Sequence, residues 1–339
     1  MSTELAALAA AVPVPIADRL ATARTVLSLG HENPDADALG AAIAIARIVT
    51  ARGGRATVAS SDPVAAIYRF LPGAGDIRTD PDPAMTYDLV VLCDCGEVAR
   101  VGAIRERHPD LFARTPVLVL DHHASSDGSD GLAWVDQGAA ATCELVALIA
   151  VRLGVALDEG EGRLATALLA GIVMDTATFA HPNATPRTLR LAAALLEAGA
   201  PLAEISRRLY RIKPDAQLRL FGRVLGRLET YADGLVIAST LELTDLAACG
   251  ALPEHSEGLV DLLVQAETAE VALLLKEQDE SSRLSIRTKA GGVDATVLAA
   301  TWGGGGHIRA AGATIPLPLA AARAVVLPAA IALARGVRR

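Results

Sequence analysis

Four short stretches of this 339-residue chain bring carboxylates and imidazoles together. His31, Asp35 and Asp37 lie in HENPDADALG, Asp94 stands between two cysteines in LCDCG, Asp121, His122 and His123 form DHH, and Asp175 closes the apolar run LATALLAGIVMD. Each admits an ordinary reading alone. An aspartate after a strand often forms a turn or caps a helix, and ALGAAIAIARIV begins directly behind Asp37. Taken together they point to metal. Carboxylates clustered this densely repel one another and raise each other's pKa unless a cation neutralises them. Oxygen donors with a minority of imidazoles and no thiolate suit hard or intermediate ions such as Mn2+ or Mg2+ better than structural zinc. Two such ions about 3.5–4 Å apart can share and acidify a water and offset charge on a phosphoryl group. No serine elbow or cysteine–histidine pair suggests a covalent nucleophile.

The elements needed to converge these residues are readable as patterns. Thr25–Leu29, Ala56–Ser60, Tyr87–Cys93 and Val117–Leu120 read as strands, with helices expected near Asp37–Ala51, Pro63–Leu71 and Val98–His108. Continuous apolar strands such as DLVVLC and VLVL are what a parallel sheet covered on both faces requires. This predicts a doubly wound α/β domain, with three of the four loops at the carboxyl ends of strands on one rim. Helices follow over Thr142–Leu153, Gly162–Met174, Thr185–Ala198 and Leu202–Tyr210. The expected organisation is a first domain over 1–210, a linking helix over 211–230, and a smaller α/β domain over 231–339 with strands Leu235–Thr240, Val271–Glu277 and Arg283–Thr288.

The second domain carries WGGGGHIRAAGA. Gly303, Gly304, Gly305 and Gly306 offer amides without side chains, His307 and Arg309 follow, and Arg287 has a fork suited to phosphate. Trp302 is open to stacking on a base or to packing in a core.

In order, HENPDADALG, the Asp of LCDCG, DHHAS, the Asp of MDTATF, and SIRTK with WGGGGHIRAAGA resemble the motifs of the DHH phosphoesterases and their DHHA1 domain. Length and domain pairing are most similar to the branch of oligoribonucleases, or nanoRNases, that also act as pAp phosphatases; some relatives there cleave cyclic di-AMP or pApA. The resemblance implies that His31 and Asp35 hold one Mn2+ and Asp37 the other, with Asp94 bridging. His122 and Asp175 complete the ligands of the second ion, Asp121 orients a ligand, His123 faces the substrate phosphate, and Mg2+ or Co2+ can substitute. It also implies a homodimer, although the helical region from about 140 to 210 serves equally well as an interface or as internal packing. The sequence departs from the motifs at Ala36, Ala41 and Ser126.

Bulk properties narrow the partners. The net charge of −8 and the three lysines, Lys213, Lys276 and Lys289, argue against coating long nucleic acid and leave arginine, metal or amides to grip phosphate. No run of about 20 uncharged apolar residues suggests a membrane span. The N-terminus lacks the basic n-region of a signal peptide, and Cys93, Cys95, Cys143 and Cys249 form no C-x-x-C pair, so a cytoplasmic setting is expected. The expected activity is two-metal hydrolysis of oligoribonucleotides of about 2–5 nucleotides, of pAp and of cyclic di-AMP or pApA, releasing nucleoside 5′-monophosphates. Two alternatives are a manganese pyrophosphatase, which GGGGHIRAAG disfavours, and a non-catalytic nucleotide sensor.

Overall fold

The computed structural model describes residues 3–123, 126, 132–289 and 291–336; Ala124 and Ser125 of the DHHAS motif lie outside them. The chain forms two compact units, Met1–Ile212 and Lys213–Arg339.

In the first unit, β1 (Thr25–Leu29), β2 (Arg55–Ala59), β3 (Leu89–Cys93), β4 (Val117–Asp121) and β5 (Leu132–Val135) form one sheet in the order β2-β1-β3-β4-β5, parallel at every pair. Strand side chains alternate between faces. Val26, Leu89, Val91, Cys93, Leu118 and Leu120 enter one core, while Leu27, Leu29, Val90, Leu92, Val117 and Val119 enter another. This two-sided burial explains why these strands read as unbroken apolar runs.

Around the sheet lie α1 (Thr3–Ala9), α2 (Val14–Thr22), α3 (Ala36–Ala51), α4 (Ala103–Arg107), α5 (Pro109–Arg114), α6 (Thr142–Arg152), α7 (Glu159–Asp175), α8 (Pro186–Glu197) and α9 (Leu202–Ser206). The larger core joins α3, α6 and α7 to the sheet. The crossing of α3 on α7 depends on small residues. A Cβ on Gly40 would lie 2.5 Å from the Ala167 carbonyl oxygen, and one on Gly171 would fall on the Asp37 carboxylate.

Several expected elements differ. Pro63–Leu71 forms no α-helix; it holds a short 3-10 turn at Ala66–Tyr68, with Leu71 buried in the larger core and Val64, Tyr68 and Phe70 packed against it. Val98–His108 is interrupted at Gly102 (φ 75°, ψ −145°), giving a 3-10 turn before α4. The helix expected over Leu202–Tyr210 becomes α9 followed by a π turn, Arg207–Arg211. The short strand β5 is additional to the expected set.

The second unit opens with α10 (Asp215–Leu225), whose Leu220, Phe221 and Val224 share a core with Ile237, Leu241 and Leu274. Its six strands are β6 (Glu229–Tyr231), β7 (Val236–Leu241), β8 (Val271–Glu277), β9 (Ser282–Thr288), β10 (Gly305–His307) and β11 (Ala310–Ile315), in the order β10-β11-β9-β8-β7-β6. Only β7 and β8 run parallel. The helices are α11 (Leu243–Cys249), α12 (Leu259–Leu263), α13 (Ala295–Ala300) and α14 (Leu319–Gly336). Among the described residues α14 is the one helix long and apolar enough to cross a membrane. Its Ala322, Val326, Ala330 and Ala334, spaced by four, are buried in the core of the second unit.

Candidate metal centre

The 2-1-3-4-5 order puts a change of winding direction between β1 and β3, where an open parallel sheet leaves a crevice at its carboxyl edge. His31, Asp35 and Asp37 follow β1, Asp94 follows β3, and DHH begins on the last residue of β4. Asp175 arrives from the last residue of α7. Their ligand atoms fall into three overlapping groups: His31, Asp35 and Asp94; Asp37, His122 and Asp175; and Asp94, His122 and His123.

Asp94 lies at the middle. It is buried and sits in the left-handed region at φ 56°, a conformation that aspartate tolerates better than most side chains. Its Oδ2 is 3.5 Å from His31 Nε2, whereas Oδ1 is 3.5 Å from His122 Nε2 and 3.4 Å from His123 Nδ1. The two oxygens thus face different donor groups. Burial opposes ionisation of Asp94, but the contact with His31 and the charges of His123 and His122 outweigh it and lower its pKa.

The same environment acts oppositely on its neighbours. Burial, then repulsion from Asp175, Asp94 and Asp35, holds the Asp37 carboxyl well above the ordinary range. Asp35 is raised by burial and by Asp94, and Asp175 by burial, with Asp35 and Asp94 adding to it. His31 is raised chiefly by Asp94. His122 resists burial and rises to about 9 because Asp175, Asp37 and Asp94 surround it. Such a cluster holds protons where it would otherwise hold a cation.

Whether the donors suit a metal is decided by His122. Its Nε2 is buried and 3.1 Å from Asp175 Oδ2, yet it has no aligned hydrogen-bond partner. Two donors this close and out of line with one another are arranged as ligands of one cation are. The set, all oxygen and imidazole, fits Mn2+ or Mg2+.

Two family descriptions match this chain: "DHH family, N-terminal domain" over residues 25–172 and "DHHA1 domain" over 246–333. The bifunctional oligoribonuclease and PAP phosphatase NrnA of Thermus thermophilus is 33% identical over 285 residues, 84% of this chain and 82% of that protein. The chain belongs to the DHH family. Its Bacillus subtilis counterpart, of the same description, is 24% identical, over 86% of this chain and 89% of its own length. The cyclic-di-AMP phosphodiesterase GdpP of Bacillus subtilis is 25% identical over 84% of this chain but 44% of that longer protein. In fold, an exopolyphosphatase-related protein from Bacteroides fragilis superposes with a TM-score of 0.83 at 21% identity, covering 95% of this chain and 96% of that one.

Around the DHH-family motifs, further residues hold the cluster in place. Asp121 Oδ1 accepts from the amides of His122 (2.7 Å) and His123 (3.1 Å) and faces His123 Nδ1 at 2.8 Å. Burial disfavours the Asp121 charge, but the His123 hydrogen bonds outweigh it and lower its pKa, while Asp121 raises that of His123. The His123 side chain is 44% exposed, so its ring can meet a substrate. Ser126, at the motif departure, packs beside Asp121 over Gly96, where a Cβ would lie 2.5 Å from Ser126 Oγ and 2.9 Å from Asp121 Oδ2. Asp35 caps α3 through the amides of Asp37 and Ala38 with one oxygen, leaving the other for a ligand role.

Sequence reasoning missed Thr142, Asn183 and Tyr210. The Thr142 amide donates to Asp37 Oδ2 and its hydroxyl to Asp94 Oδ1. Asn183 donates to the carbonyls of Ala140 and Asp175. Tyr210 donates to the Met174 carbonyl; burial, with Asp175 and Asp35 nearby, pushes its pKa up to about 12. None has a sequence signal, because each acts through backbone or through a partner distant in the chain.

In the second unit the glycine run is not a free loop. Gly305–His307 pairs with Ala310–Gly312 as a hairpin, and the Gly303 and Gly304 amides donate to the Ala300 and Ala299 carbonyls at the end of α13. Two of the four glycine amides thus close the end of α13. Gly306, at φ 143° and against the Ala310 carbonyl, leaves no space for a side chain. His307 and Arg309 are exposed at the hairpin, Arg287 is paired with Asp261 at 2.6 Å, and Trp302 packs against the core.

Proposed function

We propose that this chain is a two-metal phosphoesterase that releases nucleoside 5′-monophosphates from short oligoribonucleotides and from pAp, with Mn2+ as its ion. One observation carries this reading: Asp94 presents one oxygen to His31 and the other to His122, between two sets of donors that each include further carboxylates. Similarity to an oligoribonuclease and PAP phosphatase over most of both chains supports the substrate class.

His31 and Asp35 would hold one ion and Asp37, His122 and Asp175 the other, with Asp94 shared. When bound, the ions supply an acidified water and neutralise phosphoryl charge. The protein's own groups do the rest. Asp121 fixes the His123 ring through Nδ1, so that Nε2 can donate to a phosphoryl oxygen. Because Asp121 favours the protonated ring, His123 also offers positive charge to the developing anion. Arg287, His307 and Arg309 of the second unit would bind substrate phosphate. pAp, pApA, cyclic di-AMP and short RNA all expel a ribose 3′-oxygen, so one arrangement can serve them. Similarity to a cyclic-di-AMP phosphodiesterase makes the cyclic dinucleotide the second substrate to test. Cytoplasmic location and a homodimer complete this reading.

The test is incubation with pAp, pApA, a 5-mer RNA and cyclic di-AMP in Mn2+, with chromatography of the products, beside Asp94→Ala. AMP from pAp and pApA, nucleoside 5′-monophosphates from the 5-mer, and none from the variant are expected. No cleavage by the parent chain would move the nucleotide-sensor reading ahead.

A further inference from the structure

Three consecutive carbonyls at the end of α7 are held by side chains from outside that helix. Those of Val173 and Met174 accept from the Tyr210 hydroxyl at 3.2 and 2.6 Å. That of Asp175 accepts from Asn183 Nδ2 at 3.2 Å and also lies 3.2 Å from His181 Nδ1. The last carbonyls of a helix lack partners within it; here the Thr178 and Ala177 amides also reach Val173 and Met174, at 2.9 and 3.2 Å, and the side-chain ties add to that backbone cap in fixing the final turn.

The segment after α7 is set just as firmly. Ala177, Thr178 and Phe179 all adopt left-handed conformations, with φ of 46°, 59° and 64°. Three side-chain-bearing residues in a row stay there only where the surroundings enforce it. One enforcing contact joins Thr178 Oγ1 to Ser206 Oγ at 3.1 Å. Ser206 immediately precedes the π turn Arg207–Arg211, which carries Tyr210. A π turn accommodates one residue more than an α-helical turn and shifts the register of the chain beyond it; such turns gather at functional sites. Tyr210, near the end of this one, reaches back over 36 residues to Met174, the neighbour of Asp175.

Resting on the two-ion reading above, we propose that Tyr210 is a positioning residue for the metal centre. Its hydroxyl pins the last turn of α7 and so keeps the Asp175 carboxylate where it shares a cation with His122 and Asp37. The hydroxyl touches neither ion nor substrate. Its removal therefore weakens one ion more than the other, because Asp175 belongs to one donor group and not to the group of His31 and Asp35.

The experiment is a Mn2+ titration of the metal-stripped full chain, following free Mn2+ by its EPR signal. Parent, Tyr210→Phe, Tyr210→Ala and Tyr87→Phe are compared. Tyr87 donates its hydroxyl to Thr57 Oγ1, outside the donor groups, and controls for the loss of a hydrogen-bonded tyrosine hydroxyl. The parent should take up two ions. Tyr210→Phe should hold one as tightly as the parent and the other about 10- to 100-fold more weakly, the scale on which partners of metal ligands act. Its melting temperature in EDTA should stay within about 3 °C of the parent. Tyr87→Phe should leave both affinities unchanged. Isotherms of Tyr210→Phe that match the parent, or equal weakening at both ions, overturn the inference. So does an effect confined to Tyr210→Ala, which would assign the role to the ring. A parent that takes up fewer than two ions overturns the two-ion reading itself, and the positioning role with it.

Discussion

Thr142 and Asp37 stand 105 residues apart in the chain, and a 2.6 Å hydrogen bond joins the threonine amide to the aspartate carboxylate. The Cys143 amide takes the other Asp37 oxygen at 2.8 Å, and the Thr142 hydroxyl reaches Asp94 Oδ1 at 3.1 Å. The first turn of α6 thus meets two carboxylates with its amides, its hydroxyl and the positive end of its dipole. Fixed dipoles ease the repulsion within the cluster without filling the positions that cations would take.

Replacing Thr142 by valine keeps the shape and both amide bonds but removes the donor to Asp94. We expect kcat/KM on pApA to fall about 10- to 100-fold, as when an outer partner of a metal ligand is lost. The stability cost should be about 1 kcal/mol. Steady-state kinetics with thermal melting checks both, and unchanged kinetics would remove Thr142 from the site.

Metal removal should make stability depend on alkaline pH. His122 is held protonated to about 9 by Asp175, Asp37 and Asp94, against an ordinary value of 6.5. A raised folded-state value means the contribution is complete below 6.5 and disappears as pH rises through 9. Asp37 and Asp175, also raised, are neutral more readily in the folded protein, so their ionisation weakens the metal-free fold further. In EDTA the melting temperature should drop by about 3 °C or more between pH 6.5 and 9.5. Saturating Mn2+ should remove most of that slope, since the ligands are then deprotonated and paired. A flat EDTA profile contradicts the prediction.

Much of the fold and of the candidate metal centre is legible in the sequence because the residues themselves carry the signal. Two-sided burial of β1, β3 and β4 writes continuous apolar runs, and their carboxyl ends fall where His31, Asp94 and Asp121 stand. Other features leave no such trace. β5 has four residues, with only Trp134 buried, so neither length nor alternation marks it. The glycine run reads as a free loop until its pairing with β11 is seen, and pairing is a property of two segments. Tyr210 bonds backbone carbonyls, which any sequence possesses. Burial at every fourth residue of α14 was obscured because alanine and valine also fill its other faces.

Gly171 should not tolerate even a methyl group. A Cβ there would fall on Asp37 Oδ1 and lie 2.5 Å from Cys143 Sγ, in a helix that crosses α3 closely. Gly171→Ala should destabilise the first unit by about 1–3 kcal/mol through overpacking, despite the better helix propensity of alanine. Displacement of Asp37 should also weaken Mn2+ binding. The comparison is Gly222→Ala in α10, where a Cβ meets nothing and stability should rise slightly. Urea melts of both variants decide it, and a stabilised Gly171→Ala would refute the packing argument.

Arg287 offers the last test, because the structure gives it a competitor. Its Nε donates to Asp261 Oδ1 at 2.6 Å, but Asp261 is about half exposed, so the pair contributes little to stability and a phosphate can displace it. If Arg287 binds a substrate phosphate, Arg287→Ala should raise KM for pApA by about 10- to 100-fold, the worth of a hydrogen bond to a charged group. Hydrolysis of bis(p-nitrophenyl) phosphate, which has no second nucleotide to hold, should change little. Asp261→Asn should act in the other direction. It leaves Arg287 without its competing carboxylate and should lower KM for pApA about two- to fivefold with an unaltered melting temperature, as expected for loss of an exposed pair. Equal losses on both substrates in Arg287→Ala would instead place this arginine in the support of the second unit's fold.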